Sequence, residues 1–232
     1  MRIVHYLLFA LLACVQLIGC GSGARTFSIQ GDTFLLDGDS VVLRSGEIHF
    51  DRIPKAYWRH RLQMLRAMGL NTVCTYLFWN KAEPEQDRFD QRNFDDMAEF
   101  CRLAQEEGLW VILRPGPYVC AEWDMGGHPW WLLRKEGIGL RSQDPYFLER
   151  TRKYLNKVGE TLAPLQITQG GPILMVQVEN EYGHWGTDTT YLGIIRDYLV
   201  ESGFDVPMFQ CDYFARLVDR REDLFCAANF GT

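Results

Sequence analysis

Short apolar runs alternate with segments of helical periodicity through most of the chain. Runs at residues 43–50, 71–76, 109–113, 172–178, 206–211 and 224–229 are each too short for a helix and read as strands. Between them lie stretches with apolar residues at helical spacing. The first is opened by Pro54 and carries Trp58, Leu62, Leu65 and Met68, with Gly69 stopping it. The second starts at about Asn93, with Phe94, Met97, Cys101 and Ala104 on one face. The third begins near Asp144-Pro145 and buries Phe147, Tyr154, Val158 and Leu162, and the fourth spans residues 188–202 with Tyr191, Ile194, Ile195 and Tyr198 inward. Repeated strand–helix–strand alternation implies parallel strands with helical crossovers. Residues 109–113 and 172–178 are continuously apolar, the pattern of a strand buried on both faces. Ahead of this series, residues 27–42 read as short strands broken by Gly31-Asp32 and Asp37-Gly38 turns.

Charged and aromatic residues cluster just after the strand ends: Glu47 and His49, Tyr76 and Trp79, Glu122 and Trp123, then residues 179–182. In a (β/α)8 TIM barrel that edge carries the active site. The fold class expected is therefore α/β, a TIM barrel present in part, with about six of its eight strands between residues 27 and 232. No Gly-x-Gly-x-x-Gly follows the first strand and no Walker loop is present, so nucleotide-binding doubly wound folds lose support.

Charge narrows the partners. With 24 basic and 30 acidic residues and no block of one sign, the chain lacks the basic stripe a nucleic acid requires. Aromatics make up 13% of the 232 residues, including 7 Trp, enough to fill a core and still line a groove for the flat apolar face of a sugar. A basic start, an apolar run over residues 3–18 and small residues at 19–23 form a secretory signal pattern, which places a leader at residues 1–20. Leu17-Ile18-Gly19-Cys20 resembles the lipobox of bacterial lipoproteins. Leu11-Leu12-Ala13-Cys14 fits that pattern too but leaves a very short signal, so Cys20 is the expected lipid anchor. Export to a bacterial periplasm or cell envelope follows from this reading. Beyond the leader, Cys74, Cys101, Cys120, Cys211 and Cys226 form neither a disulfide scaffold nor a zinc spacing, and the five His show no metal-ligand spacing. No metal and no cofactor are expected.

The residues at the end of the run at 172–178 carry the most chemistry. Hydrolysis of a glycoside needs two carboxyl groups flanking the scissile bond, one of them protonated to release the leaving oxygen. A Glu at the end of a buried strand, partly desolvated and near a second carboxylate, suits that acid role. Glu181 fits, and Asn180 beside it can donate a hydrogen bond to the hydroxyl next to the anomeric carbon. Glu179 is the competing carboxylate, since two residues along an extended segment share a face.

The segment at residues 170–182, Gly-Gly-Pro-Ile-Leu-Met-Val-Gln-Val-Glu-Asn-Glu-Tyr, resembles the signature of glycoside hydrolase family 35 along its whole length. Residues 45–50, 69–76 and 114–123 are similar to the same family, in the family's order. The resemblance implies a β-galactosidase that releases terminal β-D-galactose by retaining double displacement, with Glu181 as acid/base. It implies that Tyr76, Glu122, Asn180 and the Cys120-Ala121 backbone bind galactose hydroxyls, and it leaves Glu179 structural. The family's nucleophile is a second Glu on a later strand in an aromatic setting, and no residue here matches that motif. A galactoside-binding fragment without catalysis, or a related retaining exo-glycosidase for another sugar, are the alternative readings. The loop His128-Pro129-Trp130-Trp131 departs from the family, where an apolar residue commonly replaces His128; His128 reads as a loop histidine. The resemblance also suggests a disulfide between Cys120 and Cys226.

Overall fold

The computed structural model describes residues 23–213 and 223–230. The leader at residues 1–20, with Cys14 and Cys20, lies outside the described residues. No helix among those described is long and apolar enough to cross a membrane.

A small antiparallel meander comes first: β1 (Phe27–Gln30), β2 (Thr33–Leu36) and β3 (Asp39–Val41). Asp37 and Gly38 both take positive φ, 53° and 87°, the two-residue turn whose twist matches antiparallel strands. Phe34 meets Phe225 edge-on at 5.6 Å and so docks the meander onto the larger sheet.

That sheet holds six strands, all parallel and in sequential order: β4 (Ser45–Glu47), β5 (Thr72–Tyr76), β6 (Trp110–Arg114), β7 (Ile173–Gln177), β8 (Met208–Tyr213) and β9 (Phe225–Asn229). The six are the strands read from the sequence, and the architecture is a partial (β/α)8 barrel. Crossovers run through α1 (Trp58–Ala67), α2 (Trp79–Ala82), α3 (Gln91–Glu106), α4 (Pro145–Leu162), α5 (Tyr182–Trp185) and α6 (Thr189–Glu201). The three long later helices share one starting device. Asp90 accepts from Arg92 N, Asp144 from Tyr146 N and Phe147 N, and Asp188 from Tyr191 N. Each such cap contributes about 1 kcal/mol. The apolar face read for α3 is fully buried, as is that of α4.

The structure corrects several expectations. Pro54 is followed by a 3-10 turn at Lys55–Tyr57, so α1 begins only at Trp58. Met68, assigned to the inner face of that helix, is 70% exposed because it lies beyond the last turn, on the way into Gly69. Of the two runs expected to be buried on both faces, only β7 is; on β6, Ile112 keeps partial access. Ile112 pairs in register with Cys74, also partly accessible, so both sit on the sheet's concave side, which six strands leave less enclosed than a closed barrel of eight.

The disulfide between Cys120 and Cys226 is not formed. Cys120 follows β6 and Cys226 lies on β9, with β7 and β8 between them in the sheet. Three strand spacings of about 4.8 Å separate the two strands, against the roughly 7 Å that a disulfide tolerates between Cα atoms. Cys226 also pairs in register with Gln210, one residue out of phase with the inward Cys211 and Asn229.

Candidate active site

The C-terminal ends of β4 to β9 gather the polar residues. Alternation along each strand decides which side chains point inward. Tyr76 pairs with Arg114 and Tyr213 with Asn229, in the same phase as Cys211.

Arg114 is the hub. Its guanidinium hydrogen-bonds Glu47 Oε2 at 3.1 Å, meets the Tyr76 hydroxyl and Asn180 Oδ1, and lies 4.2 Å from the centre of the Tyr76 ring. His49 Nε2 pairs with Glu47 Oε1 at 3.2 Å, and its ring stands edge-on to Tyr76. Burial pushes the Glu47 carboxyl up, but hydrogen bonds from His49 and Tyr76 and the Arg114 charge outweigh it and hold it below the usual carboxylate range. Burial drives the Tyr76 phenol well above its ordinary value, so it keeps its proton. Asn180 Oδ1 accepts from Arg114 and, at 3.1 Å, from Gln177 Nε2. The oxygen is thereby committed, and the amide nitrogen is the group Asn180 offers.

Glu179 and Glu181 do not share a face. Glu179 takes φ 59° and Glu181 φ 47°, so the extended alternation that would align them ends with β7. Glu179 is buried and saturated: Arg141 grips both carboxylate oxygens, at 3.2 and 2.7 Å, Tyr191 donates its hydroxyl at 2.7 Å and Asn180 its backbone N–H at 2.8 Å. Arg141 also donates to Asn180 O at 2.6 Å, which pins the reversal. Glu181 is half-buried. Its backbone N–H donates to Cys211 O at 3.0 Å, and one carboxylate oxygen, Oε1, accepts from Asn229 Nδ2 at 2.6 Å. Asp212 is buried, accepts from Gly183 N at 2.8 Å, and is pushed up chiefly by that burial.

Cys120, Ala121 and Glu122 form a second left-handed turn, with φ of 59°, 58° and 46°. Residues rarely hold such angles unless their surroundings over-determine them. Here Arg52 donates to Ala121 O at 2.7 Å and Glu122 O at 2.8 Å, while its guanidinium lies over Trp123. Gly126 lets the loop close on Tyr118, whose ring would lie 1.9 Å from a Cβ there. The Glu122 side chain is exposed and makes no ion pair among the described residues. Trp123 stacks on Phe78 at 4.1 Å. His128 is buried among Trp79, Tyr118 and Phe147, and burial aided by Arg141 lowers it to about 3; it stays neutral, a packing residue.

The structure therefore brings Tyr76, Asn180 and Glu181 to one rim, with Tyr76 engaged by Arg114 rather than open to solvent. Cys120, Ala121 and Glu122 line the turn after the neighbouring strand. Sequence reasoning gave no role to Arg114, Asn229, Arg52 or Arg141. Register with Tyr76 could have exposed Arg114; Arg52 and Arg141 reach the site from loops with no spacing signal. A cavity of about 960 Å³ lies at the opposite end of the sheet, between Trp110, Gly170 and Arg25, away from this chemistry. No group of three or more His, Cys, Asp or Glu among the described residues is arranged to hold a metal.

The profile of glycosyl hydrolases family 35 matches residues 33–228. A β-galactosidase of Xanthomonas manihotis is 52% identical over 180 residues, covering 78% of this chain and 30% of that protein. A β-galactosidase of Mus musculus is 42% identical over 234 residues, covering 96% of this chain and 36% of that protein. The chain thus spans about a third of the length of these relatives. Among solved structures, a GH5_18 protein from Streptomyces cattleya in complex with GlcNAc superposes with a TM-score of 0.60 at 17% identity, covering 75% of this chain and 45% of the other. An exo-beta-1,4-mannosidase from an Opitutaceae bacterium superposes with a TM-score of 0.57 at 18% identity, covering 75% of this chain and 32% of the other. At such identity these two speak for the barrel fold alone. With its profile match across nearly all the described residues and relatives this similar, the chain belongs to glycosyl hydrolases family 35.

Proposed function

We propose that residues 27–232 are the N-terminal portion of the catalytic domain of a retaining β-galactosidase, in which Glu181 is the acid/base. The observation that carries this reading is the contrast between the two carboxylates after β7. Glu179 is enclosed by four hydrogen bonds, whereas Glu181 is half-exposed with one oxygen uncommitted, next to an Asn whose amide nitrogen is on offer. Glu181 protonates the leaving oxygen, a Glu from a part of the polypeptide outside this chain attacks the anomeric carbon, and Glu181 then activates water. Asn180 donates to the hydroxyl beside the anomeric carbon. Glu122 and the Cys120-Ala121 backbone receive further galactose hydroxyls, and Tyr76 works with Arg114 at the floor of the sugar site. The substrate is a β-galactoside oligosaccharide or polysaccharide. Residues 1–20 direct export to the cell envelope, with lipid attachment at Cys20.

A panel of aryl glycosides given to the full-length polypeptide tests the sugar. Galactosides are expected to be hydrolysed well ahead of glucosaminides and mannosides. Proton NMR of the first-formed product should show β-galactose, because two displacements restore the starting configuration. A preference for another sugar, or release of the α-anomer, contradicts the proposal.

A further inference from the structure

Three hydrogen bonds close a ring across β7, β8 and β9 at the acid/base. Glu181 N donates to Cys211 O at 3.0 Å, Cys211 Sγ donates to Asn229 Oδ1 at 3.1 Å, and Asn229 Nδ2 donates to Glu181 Oε1 at 2.6 Å. The direction of each bond follows from its chemistry. Burial raises the Cys211 thiol to about 11, so the sulfur keeps its hydrogen and acts as donor. An amide whose oxygen faces S–H must turn its nitrogen to the other neighbour, here the carboxylate. The inner phase of Cys211 and Asn229 on adjacent parallel strands makes the contact a product of strand register.

The terminal torsion of a Glu is soft and nearly two-fold, so an unheld carboxyl exchanges its oxygens freely. A donor fixed on Oε1 removes that freedom, because an N–H facing Oε1 leaves no room for a proton on the same lone pair. We infer that Asn229, oriented by the Cys211 thiol, is a positioning residue that reserves Oε2 of Glu181 for the proton delivered to the leaving group. This rests on the acid/base reading of Glu181. It adds a residue on β9, and a second one behind it on β8, that touch the carboxyl and its partner without being placed against the sugar.

The test measures kcat/KM on the full-length polypeptide for lactose and for dinitrophenyl β-galactoside. The second substrate has a leaving group that needs no protonation. Glu181→Gln serves as the reference for loss of acid catalysis. Asn229→Ala is expected to lose roughly 10- to 100-fold on lactose, the range for a hydrogen bond to a charged group, and to stay within about threefold on the aryl galactoside. Cys211→Ala should show a smaller loss with the same selectivity, and Cys211→Ser, which retains a donor, should recover most of it. This pair reads the same contact if Asn229→Ala does not fold. Equal losses on the two substrates, or wild-type lactose turnover in Asn229→Ala and Cys211→Ala while Glu181→Gln loses it, overturns the positioning role alone. A Glu181→Gln variant with no difference between substrates overturns the acid assignment and the inference with it.

Discussion

Val111 and Leu113 on β6 face the helices and are wholly buried, whereas Ile112 and Arg114 on the same strand face the barrel interior and keep partial access. The outer surface of the sheet is apolar and closely packed, with Val73, Val111, Leu113 and Val176 all at 0% exposure against helices that start on Asp caps. The inner surface ends in a rim of Arg, Tyr, Asn and Glu. Most of the non-glycine residues with positive φ also lie after β6 or β7: Cys120, Ala121, Glu122, Met125, Arg141, Glu179 and Glu181. One strand thus supplies stability through one phase of its alternation and chemistry through the other. The rim can hold unfavourable angles because Arg52 holds the carbonyls of Ala121 and Glu122 and Arg141 that of Asn180, within the strained turns themselves.

Substitutions can probe where that division fails. The largest expected effect on stability comes from Arg141, a rim residue that is structural. Arg141→Ala strands the buried Glu179 carboxylate and should cost about 3–5 kcal/mol, seen as a lowered denaturant midpoint. A near-normal midpoint would mean that the rim does not depend on this pair. On the packed face, Leu113→Ala should cost about 2–5 kcal/mol, while Ile112→Ala, its inward neighbour, should cost clearly less in the 232-residue chain. Equal losses would show that the two faces are packed alike. The smallest effect is expected at Glu47. Its carboxyl is held below the usual range, so its contribution to stability is present above the unfolded value of about 4.3 and is lost as pH falls through the lower folded value. Glu47→Gln should therefore narrow its melting difference from wild type in that acid window. The difference at neutral pH should be small, because the side chain is 47% exposed and screened by solvent. A difference independent of pH removes the charge argument.

How legible this was in the sequence depends on how far apart the interacting residues lie. Strand and helix order, the buried faces of α3 and α4, and the rim carrying Asn180 and Glu181 could be read because each rests on local periodicity or on a contiguous motif. The alternation argument that put Glu179 and Glu181 on one face failed because both adopt left-handed angles, which local pattern does not reveal. The Cys120–Cys226 pairing failed because strand separation in the sheet, unlike proximity to strand ends, depends on tertiary order. Arg52 and Arg141 act on loops 69 and 38 residues away, and Arg114 on Glu47 from 67 residues away, distances at which a single sequence carries no signal of contact.

Two variants decide whether Glu181 or Glu179 is the proton donor. Glu181→Gln and Glu179→Gln are compared in the full-length polypeptide on lactose and on an activated aryl galactoside. Glu181→Gln should lose about 10²–10⁴-fold on lactose while retaining far more activity on the activated substrate. Added azide should partly restore its turnover by replacing the water that Glu181 activates. Glu179→Gln, which disturbs the Arg141 and Tyr191 contacts, should affect both substrates together and gain nothing from azide. If the substrate split and the azide rescue follow Glu179 instead, the assignment is two residues out; if both variants keep lactose turnover, the mechanism proposed for this rim is wrong.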